Sequence, residues 1–570
     1  MAKIRNYIDN LIKNNKTKDI FNMIEKEIKF IDDYKDEIES IGSHKHFIFD
    51  EVDNKVLKLL EEYPQVITYQ NEKGQNLGMI ACEYGLEKAA LKFAENDESN
   101  LQVDENGTNL AMYAAWHYLD SVILKSVKNN PDVLLARDYD TQRDVALICC
   151  FQKREDVLLK LIEYQSVKER KYGQDENIAM IAANNGLEKV VLKALDDPIL
   201  KNVETAQHVN LGMFAANKGL KKATEKALED PELRYGVDWE GQNILFYAMK
   251  SRMEDVVLKY IDDETLSAAQ DSQGLTVGMY AASVGAKKVV NKVLDNNRLA
   301  IQQDRTGRNI GMYCVSKNYE DLVIKALSNE TLATQTTVFY NVNIGMLAAK
   351  NKMKKAVFVA LDNPVAALQT DIYGYNIGMY AAENGLEKET LKAMDNKQAM
   401  TQRSKDTDSN MAMLAAKSRL EEPVLKALEN LKNETCEKSM PDYEIFNLVY
   451  FATENNMERV ALKAFEIPEI YMDDAGLIYY VIDACKSNIK NCGKPCFVDS
   501  ILKALDNPDI VEKFEDFIDR VEDLGVHKIN QKIVELKEKN NNSVIVFDEN
   551  IVEETKDISF ENDIESEMVE

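Results

Sequence analysis

Residues Asp371 to Ala393 read DIYGYNIGMYAAENGLEKETLKA, and this stretch decides the fold because its pattern returns about every 33 residues along most of the chain. Anchored on the Asn that precedes an aliphatic residue, a small residue and Met, copies fall at Asn76, Asn109, Asn177, Asn210, Asn243, Asn309, Asn343, Asn376, Asn410 and Asn447. Asp144 and Thr276 fill the same slot in two more. A period of this length means supersecondary units stacked along one axis, so the 570 residues read as one array of about 12 or 13 repeats rather than several globules.

Each part of the repeat has a physical reading. Asn, Asp and Thr carry a side-chain oxygen that accepts from the free amides of a first helical turn, so the slot predicts an N-cap. The short helix after it ends in small residues, usually Ala-Ala, which lets neighbouring helices approach, while Met fills irregular gaps. Gly85, Gly186, Gly219, Gly285 and Gly385 then suit the positive φ of a tight reversal. A second, one-sided helix follows, as in Leu187, Val190, Val191, Ala194 and Leu195, before Asp197-Pro198 stops it. Between repeats, Asp-x-x-Gly (Asp104 to Gly107, Asp238 to Gly241, Asp271 to Gly274, Asp304 to Gly307, Asp371 to Gly374) predicts a turn that projects a finger away from the helices.

This arrangement resembles the ankyrin repeat, whose consensus places Asp, Gly, Thr-Pro-Leu-His, Ala-Ala and a second Gly over the same period. Asp371, Gly374, Asn376, Ala381, Ala382, Gly385 and Leu386 fall on the family's Asp, first Gly, Thr, two Ala, second Gly and His positions. The resemblance covers roughly residues 71–508 and implies an all-α, ankyrin-like helical repeat solenoid that binds another protein along its inner face. Two departures are systematic. Met stands where the family's box has the His that links repeats, which implies that packing carries more of the stacking. The stretch Asp362 to Leu368 is poor in glycine and has room for an extra helical turn, so another kind of helical-pair solenoid is the alternative.

Outside the array, Ile4, Ile8, Leu11 and Ile12, then Phe21, Ile24, Ile28, Ile31 and Ile38, predict a helical N-terminal cap over 1–46, and the array occupies 47–508. Phe514, Phe517, Ile518, Val521 and Leu524, then Ile529, Ile533 and Leu536, predict a C-terminal helical cap over 509–539. In residues 540–570, ten acidic residues after Ser543 stand against Lys556 alone, and such a run favours a disordered, solubilising tail. A glutamate-rich end also looks like the export signals of some bacterial effectors.

A net charge of -27 excludes a phosphate-backbone binder, and no apolar run is long enough for a signal peptide or a membrane span. The expectation is a cytoplasmic monomer that binds neither nucleic acid nor membrane, with delivery into a host cell as the alternative. Eight scattered cysteines read as reduced thiols.

No phosphate-binding loop, dinucleotide fingerprint, zinc-protease or serine-hydrolase motif is present, and the five histidines have no recurring partners, so no enzyme and no cofactor are expected. Cys485, Cys492 and Cys496 form the best metal candidate, although their spacing is not that of a zinc site.

A lysine recurs in the second helix (Lys92, Lys125, Lys160, Lys193, Lys226, Lys259, Lys292, Lys325, Lys392, Lys426, Lys463). It reads either as a track for an acidic partner or as a solvated outer face whose stems cover the seams between repeats. The residue after the Met, as at Tyr113, Tyr280, Tyr313 and Tyr380, is placed by the resemblance on the inner surface, as contact residues or as a structural ladder. Variable finger residues Trp239, Arg305, Arg308, Tyr373 and Tyr375 are the specificity candidates. The function expected is a protein–protein interaction scaffold. The alternatives are a self-associating structural array, a secreted effector, and a metal protein using the cysteine insertion.

Overall fold

The computed structural model describes residues 17–33, 45–433, 442–466, 476–492, 495–513 and 517–538. The chain is all-α and divides into two compact units, Met1–Val293 and Leu294–Glu570. Among the described residues, extended pairing is confined to isolated bridges such as Val103 with Asn109 and Gln303 with Asn309.

In the first unit the helices Leu77–Glu83, Leu110–Trp116, Val145–Phe151, Ile178–Asn184, Leu211–Asn217, Ile244–Lys250 and Val277–Val284 pack each on the next, forming one layer. The first six of these also pack against the second helix of their own repeat, such as Glu188–Ala194 behind Ile178–Asn184. The second unit repeats the plan with first helices Ile310–Ser316, Ile344–Lys350, Ile377–Glu383 and Met411–Lys417, continued by Asp442–Glu454 and Gly476–Cys492. The apolar positions of the second helix fall on the core as the spacing requires: Leu187, Val190, Val191, Ala194 and Leu195 are all buried.

A third, very short helix closes most repeats, for example Asp97–Leu101, Pro198–Lys201 and Pro364–Leu368. The Asp-Pro expected to end the second helix also starts the third. Asp197 accepts from the amides of Ile199 and Leu200, and Pro198 sits at the first helical position, where no amide is needed. The reversal between first and second helix is left-handed at Gly85, Gly186, Gly219, Gly285 and Gly385 (φ 70° to 92°). Tyr118, Lys153, Arg252, Asn318, Lys352, Arg419 and Asn456 hold the same slot at φ between 59° and 65°. Stacking therefore imposes the turn even where the side chain disfavours it, at about 1 kcal/mol per residue.

Close approach of first helices rests on the small residue after the cap. A Cβ on Gly311 would lie 2.5 Å from Ile344 Cδ1 and 2.9 Å from Ala326 Cβ. On Gly212 it would lie 2.7 Å from Ile244 Cδ1 and 2.8 Å from Ala227 Cβ. The first aliphatic residue of one repeat thus fills the hole left by the missing side chain in the repeat before it.

The cap residue links repeats as well. Asn376 accepts from the Met379 amide (2.8 Å) and donates to the Ala399 carbonyl (2.8 Å) and to Gln402 Oε1 (2.8 Å). Gln402 Nε2 then donates to the Leu368 carbonyl of the preceding repeat (2.8 Å). The same relay runs through Asn343, Gln369 and Thr334, and in the first unit through Asn76, Gln102 and Thr68. Polar linkage has therefore not given way to packing alone; it has moved from the Met position to Asn and Gln. Asp144 has no amide to donate. There the partner 26 residues on is Arg170, whose guanidinium lies 2.6 Å from the Asp144 carboxylate, so charge replaces the amide pair.

Asn447 is a correction. It lies inside the helix Asp442–Glu454 rather than at its start, because Tyr443 to Phe446 supply helix-forming residues with no finger turn ahead of the slot. At the N-terminal end, Phe21, Ile24, Ile28 and Ile31 are buried. The helix Lys45–Glu62 runs across residue 46 and pairs with Thr17–Asp33 against the first complete repeat. At the far end, Pro508–Lys513 crosses residue 508, and Phe517, Val521, Leu524, Ile529 and Ile533 are buried. Ile4, Ile8, Leu11, Ile12, Ile38, Phe514 and the tail 540–570 lie outside the described residues.

Candidate functional site

The fingers are tied both to the helices and to each other. In the finger at 371–375, Asp371 Oδ1 accepts from the amides of Tyr373 (2.9 Å) and Tyr375 (2.8 Å), while Oδ2 accepts from the Tyr380 hydroxyl (2.6 Å). The same clasp joins Asp304 with Tyr313 (2.7 Å), Asp104 with Tyr113 (2.8 Å) and Asp238 with Tyr247 (2.7 Å). Burial, followed by the bond to Asp371, pushes the Tyr380 phenol well above the ordinary tyrosine range. At Asp304 burial raises the carboxyl, but hydrogen bonds from Thr306, Tyr313 and the Arg308 amide outweigh it and leave the group below its usual value. Neighbouring fingers also share backbone bonds: Trp239 donates to Gln207 (3.1 Å), Val338 to Thr306 (2.9 Å) and Ile372 to Tyr340 (3.1 Å).

Two repeats of the second unit drop the clasp: one has Ser404 and Leu414 at the two positions, and the other lies between the clasped repeats of Asp304 and Asp371. Where its neighbours have Asp304 and Asp371 it has Thr337, and where they have Tyr313 and Tyr380 it has Leu347. Its finger is one residue longer and lacks glycine, with Asn341 taking φ 54°. Leu347 leaves unfilled the space a phenol occupies in the flanking repeats, and a groove of about 380 Å³ opens there. Met312, Val315 and Leu347 provide apolar lining, and Tyr340 and Tyr373 stand on the finger side. The finger tips beside it are apolar and exposed: Val338 at 66%, Phe339 at 68%, Tyr340 at 57% and Tyr373 at 50%. Arg308 and Lys350 bring cations to the lining, in which Asp371 is the one carboxylate, already engaged by Tyr380 and its own turn.

Of the candidates read from the sequence, the groove brings together Arg308, Tyr313, Tyr373 and Tyr380. Arg305 is exposed on the finger of Asp304, and Tyr375 packs on Tyr380 with ring centroids 5.4 Å apart. Three candidates belong to the first unit. Trp239 is exposed, its ring 6.3 Å from His208; Tyr113 is buried; Tyr280 packs near Phe246. Sequence reading missed Leu347, Tyr340 and Lys350, and it missed Tyr247 because Phe246 replaces the Met ahead of it. The signal was there in the register: a clasp pair lost at both of its positions in a repeat whose two neighbours, at Asp304 with Tyr313 and Asp371 with Tyr380, keep it.

The lysine row is an inter-repeat staple. Lys226 pairs with Asp196 (2.6 Å) and donates to the Leu192 carbonyl (2.9 Å), both at the end of the preceding second helix. Lys193, Lys325 and Lys392 repeat this pairing with Glu163, Asp295 and Asp362. A cation at a helix C-terminus meets the dipole favourably. The carboxylate three residues after a Lys, as at Asp196 after Lys193 or Asp295 after Lys292, therefore serves the next repeat's Lys, and Glu466 serves both Lys503 and its own Lys463. Cys485 is buried, which pushes its thiol up to about 12, and Cys496 donates to the Ala484 carbonyl (3.8 Å). The Cys492 side chain lies outside the described residues. Among the described residues, no three His, Cys, Asp or Glu are grouped to hold a metal ion, and no helix is long and apolar enough to cross a membrane.

No family model matches the chain, and the comparison with curated proteins found no match.

Proposed function

We propose that this protein is a non-enzymatic scaffold, ankyrin-like in plan, that holds another protein against the first helices and fingers of its repeats. The single observation that carries the reading is the groove at Leu347, flanked by exposed finger residues on a backbone that the Asp–Tyr clasps and finger-to-finger bonds keep in register. A surface ordered before its partner arrives loses less entropy on docking, so modest contacts give usable affinity. Five exposed apolar side chains on two adjacent fingers, Val338, Phe339, Tyr340, Ile372 and Tyr373, are more than scattered surface hydrophobics require. A photoreactive amino acid at Tyr340 and, separately, at Lys222 on a second helix tests the reading in the native organism. The reading expects a discrete heterologous adduct from position 340 and none from 222. Equal labelling at both, or adducts between copies of this chain alone, would overturn it.

A further inference from the structure

We propose that the groove at Leu347 takes an extended acidic peptide segment carrying one aromatic or large aliphatic side chain, an inference that rests on the scaffold reading and specifies its partner. Size sets the first limit. A space of about 380 Å³ admits one bulky side chain with a short run of backbone and is too small for a folded element. Its lining at Met312, Val315 and Leu347 offers that side chain an apolar seat, and Tyr340 and Tyr373 flank it.

Charge sets the second limit. The chain as a whole carries -27, yet this groove is locally inverted. Lys350 forms no ion pair among the described residues, although lysines elsewhere on the arrays are paired repeat after repeat. Arg308 stands beside Tyr313 and partly offsets the rise of its phenol. The one carboxylate in the lining, Asp371, already accepts three hydrogen bonds. Two cations beside an apolar seat, on a molecule that repels acids elsewhere, select for carboxylates next to the inserted side chain. A basic segment would be drawn to the rest of the surface instead.

The test is selection from a displayed library of random dodecapeptides on the full-length protein, followed by anisotropy titration of the recovered peptides. The expected result is enrichment of sequences with Asp or Glu around a single Phe, Tyr, Trp or Leu. Leu347→Tyr, which restores the residue type found at this slot in the flanking repeats, should weaken binding at least tenfold while the circular dichroism spectrum stays unchanged. Lys350→Glu should weaken it about tenfold, with the loss shrinking at high salt. Recovered peptides that are basic, or whose binding is indifferent to both substitutions, would overturn this inference and leave the scaffold reading standing. Absence of any enrichment would also overturn it, and the photocrosslinking at position 340 would then decide the broader reading separately.

Discussion

Gly345 is where stacking between repeats is most sharply exposed to test. A methyl placed there would run into Ile377 Cδ1 of the next repeat and would stand 2.8 Å from Ala360 Cβ and 3.1 Å from Ile377 Cγ1. All three atoms are buried, so relief requires the two first helices to move apart. Overpacking of this kind costs about 1–3 kcal/mol, against a gain of about 1 kcal/mol from replacing Gly by Ala inside a helix. Gly345→Ala is therefore expected to fall between neutral and a loss of about 2 kcal/mol. Ile377→Ala alone should cost about 3 kcal/mol, as for other buried Ile truncations. In its background the two Ile377 contacts are gone and only the approach to Ala360 remains, so Gly345→Ala should cost less than in the native chain, a coupling of about 1–2 kcal/mol between the two sites. The assay is urea unfolding of the four proteins, with m-values compared because stacked repeats can unfold in segments. Additivity within about 0.5 kcal/mol, or stabilisation by Gly345→Ala alone, would refute the interlocking of glycine hole and aliphatic knob.

Three further outcomes follow from the same geometry. Tyr380→Phe removes the donor to the buried Asp371 carboxylate and should lower stability by about 1–2 kcal/mol, read as a lower denaturation midpoint with faster amide exchange confined to residues 371–376. Asn376→Asp keeps the cap but sets a carboxylate against the Ala399 carbonyl, so it should cost about 2–3 kcal/mol although Asp caps as well as Asn. Adding Gln402→Arg, which copies the Asp144–Arg170 pair, should recover at least half of the lost melting temperature. Glu466 is held at about 2 by Lys503 first and Lys463 second, below its ordinary 4.5. Its contribution is complete above that ordinary value and is lost as pH falls toward 2. With a third of the side chain exposed the effect is discounted to about 1 kcal/mol. Glu466→Gln should thus be less stable than the native chain at neutral pH and match it near pH 2, as followed by urea titration at each pH.

What the sequence made legible was whatever repetition enforces. The Asn cap, the left-handed Gly and the one-sided second helix each answer a local backbone demand, and local demands are written in neighbouring residues. The inter-repeat relay was harder to see because its two halves, Asn376 and Gln402, are far apart in the chain and only a folded repeat brings them together. The groove was hidden for a different reason. Recurring or chemically rich residues such as Tyr313 and Tyr380 stand out in the sequence, whereas the opening lies at the plain Leu347, in a slot its two neighbours fill with Tyr. Asn447 shows the converse: a motif letter in register is no cap when the residues ahead of it continue a helix.

Hydrogen exchange of the full-length protein with and without its photocrosslink-identified partner tests the account most directly. Added protection should concentrate on residues 308–316, 337–351 and 371–380, and Leu347→Tyr should abolish it. Protection confined to the second helices and their lysine staples, or persisting in Leu347→Tyr, would contradict it.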